Sequence, residues 1–453
     1  MDTMNTTKYQ FNYSNFLALT STVIFFGIIS RSIAKAPAAF IEYIMIFILL
    51  FFAILYILQS MREQNDRAMI VYIFLLYLTL HILVSVLFRP LEIDATLYEI
   101  FFFNLSEFRV STLGYFLPLL FLPLATNESK QIKHVLIILL KISILYTLFE
   151  QILSILGYRT LFETFYSEAG LVGDHQIDHK SFGMYRVWGF TGSPQLLGIF
   201  HIYALVIMYI NKDRFWSIMS FFGIIASTSK SAYMILVFLA ILYLIYNKHY
   251  LTIIFLLLIF LGTIFQVNEF YNYLKYEEIQ DYNAFQRIVE SVKGYFILID
   301  NTIVMDTEYI IRNGKTIARD MNLYVADGPF SSFYNYFMNN PIEIIFGKGI
   351  TYSFLEKDLL PQPFIPYMAT GSDFYILMFL EQYGFVGFIS LTLMFFIYPM
   401  YVLFKEGNYH SFNLIVFYLA TLHYPPNVPK MMMLIVAYSI YVIYFTNNKT
   451  QNE

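Results

Sequence analysis

At 453 residues, 58% hydrophobic and 13% charged, with a mean hydropathy of +0.59, the chain carries about half the charge of a soluble domain and reads as an integral membrane protein. The net charge is only −4 and no block of basic residues occurs, so nothing points to nucleic acid or to a polybasic lipid switch. Cysteine is absent, which excludes disulfides, iron–sulfur clusters and thiolate chemistry.

Aromatic residues make up 20% of the chain, and tyrosine, with 39 copies, suits the two interfaces of a bilayer. Residues 1–15 are polar, lack a small-residue cleavage site and precede a run long enough to span, so the first helix reads as an uncleaved anchor. A span needs roughly 20 apolar residues. Candidate spans follow at 14–30, 39–58, 68–88, 110–125, 134–157, 194–210, 215–227, 231–246, 249–267, 374–404, 411–423 and 431–445. The expected fold is therefore all-α: about twelve transmembrane helices. A large polar segment, 268–373, is an extracytoplasmic loop domain between helices nine and ten. It divides the chain into helices one to nine (1–267), the loop domain (268–373) and helices ten to twelve with a tail (374–453).

Orientation comes from Lys and Arg in short loops. With the N-terminus inside, the inner loops hold Arg62 and Arg67, Lys130 and Lys133, Lys212 and Arg214, Lys248, and Lys405. Both termini are thus expected in the cytoplasm, and residues 91–108, 158–193 and 268–373 outside. No internal repeat is visible, which weakens a transporter reading, because many transporters are built from repeats.

Three helix starts fall on the outer side. In the first, Arg186-Val-Trp-Gly-Phe-Thr-Gly-Ser-Pro194, Ser193 is a suitable N-cap and Pro194 suits the first helical position. A helix N-terminus favours anions, and Arg186 just upstream can grip a diphosphate bidentately. The plain alternative is an ordinary helix start with an arginine among headgroups. In the second, Ser227-Thr-Ser-Lys-Ser231, Lys230 is a lone outer cation that either meets a lipid-linked phosphate or snorkels to headgroups. In the third, Gly371-Ser-Asp373, Asp373 either serves as a general base or caps its own helix.

Inside the apolar runs lie His81, Lys141, Glu150, His201, Glu381 and His423. Ionisable groups at such depth are functional candidates by default. Lys141 and Glu150 sit about 13 Å apart along a helix and do not pair, and the lone histidines read as packing residues. No spacing marks a metal site or a phosphate-binding glycine loop.

Taken in order, the motifs are more specific than any one alone. They run from Arg186, Gly189-Phe190 and Ser193-Pro194 to Ser227-Thr-Ser-Lys230, and on to Phe285-Gln-Arg287 where the large loop opens. Asn340-Pro341, Phe346-Gly-Lys-Gly349, Ser372-Asp-Phe-Tyr375 and Leu380 to Gly387 complete the series. This pattern, from about residue 185 to 404, resembles the O-antigen polymerase and O-antigen ligase family. The family's outer hairpin usually carries Ser-Arg, where this chain has Lys230. Its ligases place a histidine where this chain has Ser372-Asp373, which favours the polymerase branch.

The resemblance implies an enzyme of the bacterial inner membrane that joins oligosaccharide repeat units carried on undecaprenyl diphosphate into an O-antigen or capsule. Neither a metal, a cofactor nor a nucleotide sugar is implied. The partners are the lipid-linked oligosaccharide, membrane lipid and, in some systems, a chain-length regulator protein. By the same resemblance Arg186, Lys230, Ser193 and Arg287 would hold the departing diphosphate, and Asp373 would accept the acceptor's proton. Arg319 matches no motif and is counted with the substrate-binding cations of the same segment. An O-antigen ligase and, in a different class, a flippase for lipid-linked oligosaccharide are the competing readings.

Overall fold

The computed structural model describes residues 50–51, 53–61, 66–88, 113–122, 129–158, 180–181, 184–191, 193–256, 302–312, 315–326, 341–347, 375–423 and 430–446. The expected span at 14–30 and the loop at 91–108 lie outside them, as does most of 158–193. In order, the elements are α1 (Met69–Phe88), α2 (Leu113–Leu120), α3 (Ser129–Ile155), β1 (Lys180–Ser181) and β2 (Met184–Tyr185). There follow α4 (Pro194–Ile210), α5 (Arg214–Ser227), α6 (Lys230–Tyr246), β3 (Thr302–Arg312), β4 (Lys315–Ala326) and α7 (Pro341–Phe346). The chain closes with α8 (Tyr375–Thr392), α9 (Tyr398–Glu406), α10 (His410–His423) and α11 (Lys430–Ile440).

Local chemistry sets the helix ends. Pro194 opens α4, Asp213 accepts from the Trp216 amide at 3.4 Å to open α5, and Ser229 accepts from the Ala232 amide at 3.3 Å to open α6. Gly407, at φ 67°, closes α9. The π-helical stretch Leu393–Ile397 leads into Pro399, whose missing N–H cannot continue a regular ladder.

α4 is the central helix. It packs against α3, α5, α6 and α10, and most of its side chains are buried. α10 and α11 are buried along Leu414–Phe417 and Met432–Ala437. The outer surface is apolar too. Ile138, Ile142, Leu145, Phe149 and Ile152 of α3, and Phe215, Ile218, Phe222 and Ile225 of α5, recur at helical spacing and are exposed. Among the described residues, two helices, Lys133–Ile155 and Gln382–Glu406, are long and apolar enough to cross a membrane by length and composition. Only 39% of each apolar window is buried, so most of each faces outward.

One end of the bundle gathers tyrosines and cations. Arg67 grips Glu406 with two hydrogen bonds, at 2.8 and 3.2 Å, and joins the start of α1 to the end of α9. Lys141 pairs with Asp213 at 2.8 Å and lies over the Trp216 ring. Tyr209 and Tyr243 share a 3.0 Å hydrogen bond, and the Tyr409 ring meets both Tyr209 and Tyr246 edge-on. Lys212, Arg214, Lys248 and Lys405 belong to this end. The start of α4, the end of α5 and the start of α6 therefore lie at the other.

Three expectations change. The tenth span, expected as one helix over 374–404, is broken at Gly384 (φ 62°, ψ −173°), a conformation in effect reserved for glycine. The backbone of Ile345–Gly347 fills the break: a Cβ on Gly384 would lie 2.4 Å from the Gly347 nitrogen. Tyr77 donates to the Tyr383 carbonyl at 2.6 Å, with the Phe346 carbonyl 3.2 Å from the same hydroxyl. His81 donates through Nε2 to the Phe346 carbonyl at 2.9 Å. The Tyr383 carbonyl at the break and the Phe346 carbonyl at the end of α7 thus both find partners on α1.

Second, the bundle is all-helical as expected, but the segments outside it include strands. The polar segment contains the antiparallel hairpin β3–β4, in which Arg312 pairs with Lys315 across Asn313-Gly314, the dipeptide that two-residue hairpins prefer. A second, very short hairpin, β1–β2, precedes Arg186. Third, Ser193 occupies the N-cap of α4 but makes no side-chain cap bond. Its carbonyl instead accepts from the Leu197 amide and from the Thr191 hydroxyl at 3.0 Å.

Candidate functional site

The loop from Arg186 to Ser193 is held from below by α3. Glu150, fully buried, accepts a 2.6 Å hydrogen bond from the Gly189 amide, and Tyr146 donates to its other oxygen at 3.2 Å. The Tyr146 ring stacks on Phe190 at 4.4 Å between centroids. Gly189 has φ 56°, and a Cβ there would fall 2.5 Å from a Leu197 methyl and 3.3 Å from the Thr147 hydroxyl, so the turn needs glycine. Glu150 is therefore the anchor of the turn that carries Arg186 to the start of α4. Lys141, nine positions earlier on the same helix, is paired instead with Asp213.

Next along α3, Thr147 gives its proton to the Ser143 carbonyl at 2.9 Å, so its oxygen accepts from His201 Nε2 at 3.0 Å. The imidazole lies against Gly223, where a Cβ would meet the ring at 2.4 Å. His201 thus ties α3, α4 and α5 together, in keeping with a packing role.

From above, the loop meets the α5–α6 hairpin. Arg186 donates through Nε to the Thr228 hydroxyl at 3.2 Å, a contact between residues 42 positions apart. The first turn of α4 is pressed against the same hairpin. A Cβ on Gly198 would lie 2.6 Å from the Ser227 hydroxyl and 2.9 Å from the Ser229 Cβ, and the Ser229 hydroxyl reaches the Gln195 carbonyl at 3.4 Å. Two helix N-termini, those of α4 and α6, therefore stand side by side with a guanidinium at their mouth. Each N-terminus presents partial positive charge, and the set suits an anion.

Of the six residues singled out from the sequence, the structure brings three parts together: Arg186, Ser193 and, by its backbone, Lys230, the first residue of α6. The backbone of Arg319 lies in β4 at a register shift, where Glu308 faces Asp320 and Tyr309 faces Ala318, so Arg319 is the extra residue of a bulge. Arg287 and Asp373 lie outside the described residues. Among the described residues no group of three or more His, Asp or Glu is arranged to hold a metal ion. Sequence reasoning missed Thr228 and the three contacts from Tyr146, Thr147 and Glu150. A carboxylate inside an apolar run was the visible signal for the last.

Glu150→Ala is expected to destabilise the protein by about 1–3 kcal/mol, because the buried Gly189 amide loses its acceptor. Glu150→Gln keeps an acceptor oxygen and should recover most of that loss. Thermal melting of the purified variants measures both, and equal melting of Glu150→Ala and wild type would show that Glu150 is not the anchor. Comparison with known protein families, with characterised proteins and with solved structures returns no match.

Proposed function

We propose that the chain is a multi-pass inner-membrane glycosyltransferase that polymerises oligosaccharide repeat units carried on undecaprenyl diphosphate. The observation that carries this reading is the meeting of the Arg186 loop, the α4 N-terminus and the α5–α6 hairpin at one end of the bundle. Support for the membrane setting comes from the apolar outward faces of α3 and α5 and from the tyrosines and short-loop cations at the opposite end. On this reading the cation-rich end is cytoplasmic and the Arg186 end is extracytoplasmic.

The acceptor unit's terminal sugar hydroxyl attacks the anomeric carbon at the carrier-linked end of the growing chain. One glycosidic bond forms and one glycosyl–phosphate bond breaks. The hydroxyl proton passes to a base, the role proposed for Asp373, and undecaprenyl diphosphate leaves as an anion. Charge builds on the diphosphate as the bond breaks, so cations and helix N-termini placed there lower the barrier. Arg186 and the two N-termini supply this at the described end. Arg287, Arg319 and Lys230 are proposed to complete the grip, and the sugar passes through an oxocarbenium-like state.

The direct test gives the purified full-length protein a synthetic undecaprenyl diphosphate-linked repeat unit, with no nucleotide sugar present. Products of two or more units, with release of undecaprenyl diphosphate, are expected. If the unit comes back unextended from folded protein, the polymerase reading is wrong.

A further inference from the structure

We infer that Thr228 is a positioning residue that fixes the plane of the Arg186 guanidinium toward a diphosphate. The inference rests on the proposed function of the Arg186 end, and it adds a residue that the motif order does not single out.

Three described non-glycine residues have positive φ: Lys212 (58°), Thr228 (49°) and Lys248 (61°). All three follow helix ends. The two lysines are unbranched and lie at the opposite, tyrosine-rich end. Thr228 is the β-branched one, and a branched Cβ is poorly tolerated in the left-handed region. Glycine or asparagine is the usual choice at the end of a helix. A threonine here needs a reason, and local backbone strain gathers where a site must be held in one geometry.

The surroundings supply the restraint. Ser227 is pressed by the first turn of α4 at Gly198 and donates to the Ile224 carbonyl at 2.6 Å. Ser229 caps α6. The Tyr233 hydroxyl donates back to the Ile225 carbonyl at 2.9 Å. The hairpin is thus clamped on both sides of Thr228, and the strained residue stays where its hydroxyl accepts from Arg186 Nε at 3.2 Å. Nε lies in the guanidinium plane. Once it is bonded, that plane is set, and a set plane is what a two-pronged contact with an oxyanion requires. Lysine has no equivalent of Nε, so the device works only for arginine at position 186.

The test uses full-length protein in detergent micelles, with farnesyl diphosphate as the probe and thermal melting read in parallel. Thr228→Gly should melt no lower than wild type, because the backbone strain is relieved, yet bind the probe about tenfold more weakly, the scale of one charge-assisted hydrogen bond. Thr228→Ser should restore binding. In an Arg186→Lys background, Thr228→Gly should bring no further loss. A Thr228→Gly protein that binds as wild type overturns the inference, as does one that loses the same factor in the lysine background. Failure of the wild type itself to bind the probe would instead strike the diphosphate reading of the site, and the inference with it.

Discussion

Arg186→Ala should lower the rate of repeat-unit transfer by about 10²- to 10³-fold while the protein still inserts and folds. That factor is what removal of one preorganised donor to a developing anion costs in a water-poor site. The structure makes the prediction specific. Arg186 projects from a turn whose shape is fixed by Glu150 and Gly189, and its Nε is bonded to Thr228. Truncation removes the guanidinium without touching the anchor beneath it, so melting should change little. Arg287→Ala is expected to have a comparable effect on transfer, from its proposed share in the same grip. A turnover assay with the lipid-linked unit decides both, with melting as the control. Wild-type rates from Arg186→Ala would remove the cation clamp from the account.

The second large effect concerns the broken helix. Gly347→Ala and Gly384→Ala should each cost at least about 3 kcal/mol and leave little folded protein. Two penalties combine in each. Gly347 has φ 83° and Gly384 φ 62° with ψ −173°, and side chains in such conformations cost about 1–3 kcal/mol. The added Cβ would also fall 2.2 Å from the Gln382 carbonyl oxygen in the first case, and 2.4 Å from the Gly347 nitrogen in the second. Those neighbours are backbone and cannot swing aside. Tyr77→Phe should be milder, at about 1–3 kcal/mol, since it leaves the Tyr383 carbonyl without its donor but keeps the ring. Fluorescence-detected size-exclusion profiles before and after heating rank the three. A Gly384→Ala protein as stable as wild type would mean that α8 is not broken there.

Much of the helical order was legible because it rests on local signals. Pro194 opens a helix at the position its chemistry suits, and apolar runs such as 194–210 coincide with helices to within a residue or two. The break at Gly384 was hidden because hydropathy is continuous across 374–404 and does not register backbone conformation. Its partner, Gly347, lies 37 positions upstream in a polar segment. The β3–β4 hairpin was written in Asn313-Gly314, yet a reading by overall composition passed over it.

The candidate site was legible in part. Arg186 and the two helix starts could be named from the sequence, but their meeting depends on how α4, α5 and α6 pack. Thr228 looked like one hydroxyl among several in a short hairpin, and its positive φ has no mark in the sequence. The partner of Glu150 could not be read at all, because a backbone amide 39 positions away has no residue type to give it away.

Polymerisation at the Arg186 end of the bundle is tested most directly by gel analysis of surface glycan from cells that lack this gene, complemented with wild type or with Arg186→Ala. A ladder restored by wild type, and collapsed to a single acceptor-linked repeat unit with Arg186→Ala, is the predicted result. Complete loss of attached glycan, with polymer accumulating on the lipid carrier, would make the protein a ligase. Repeat units trapped on the cytoplasmic side would make it a flippase and contradict an active site at the Arg186 end.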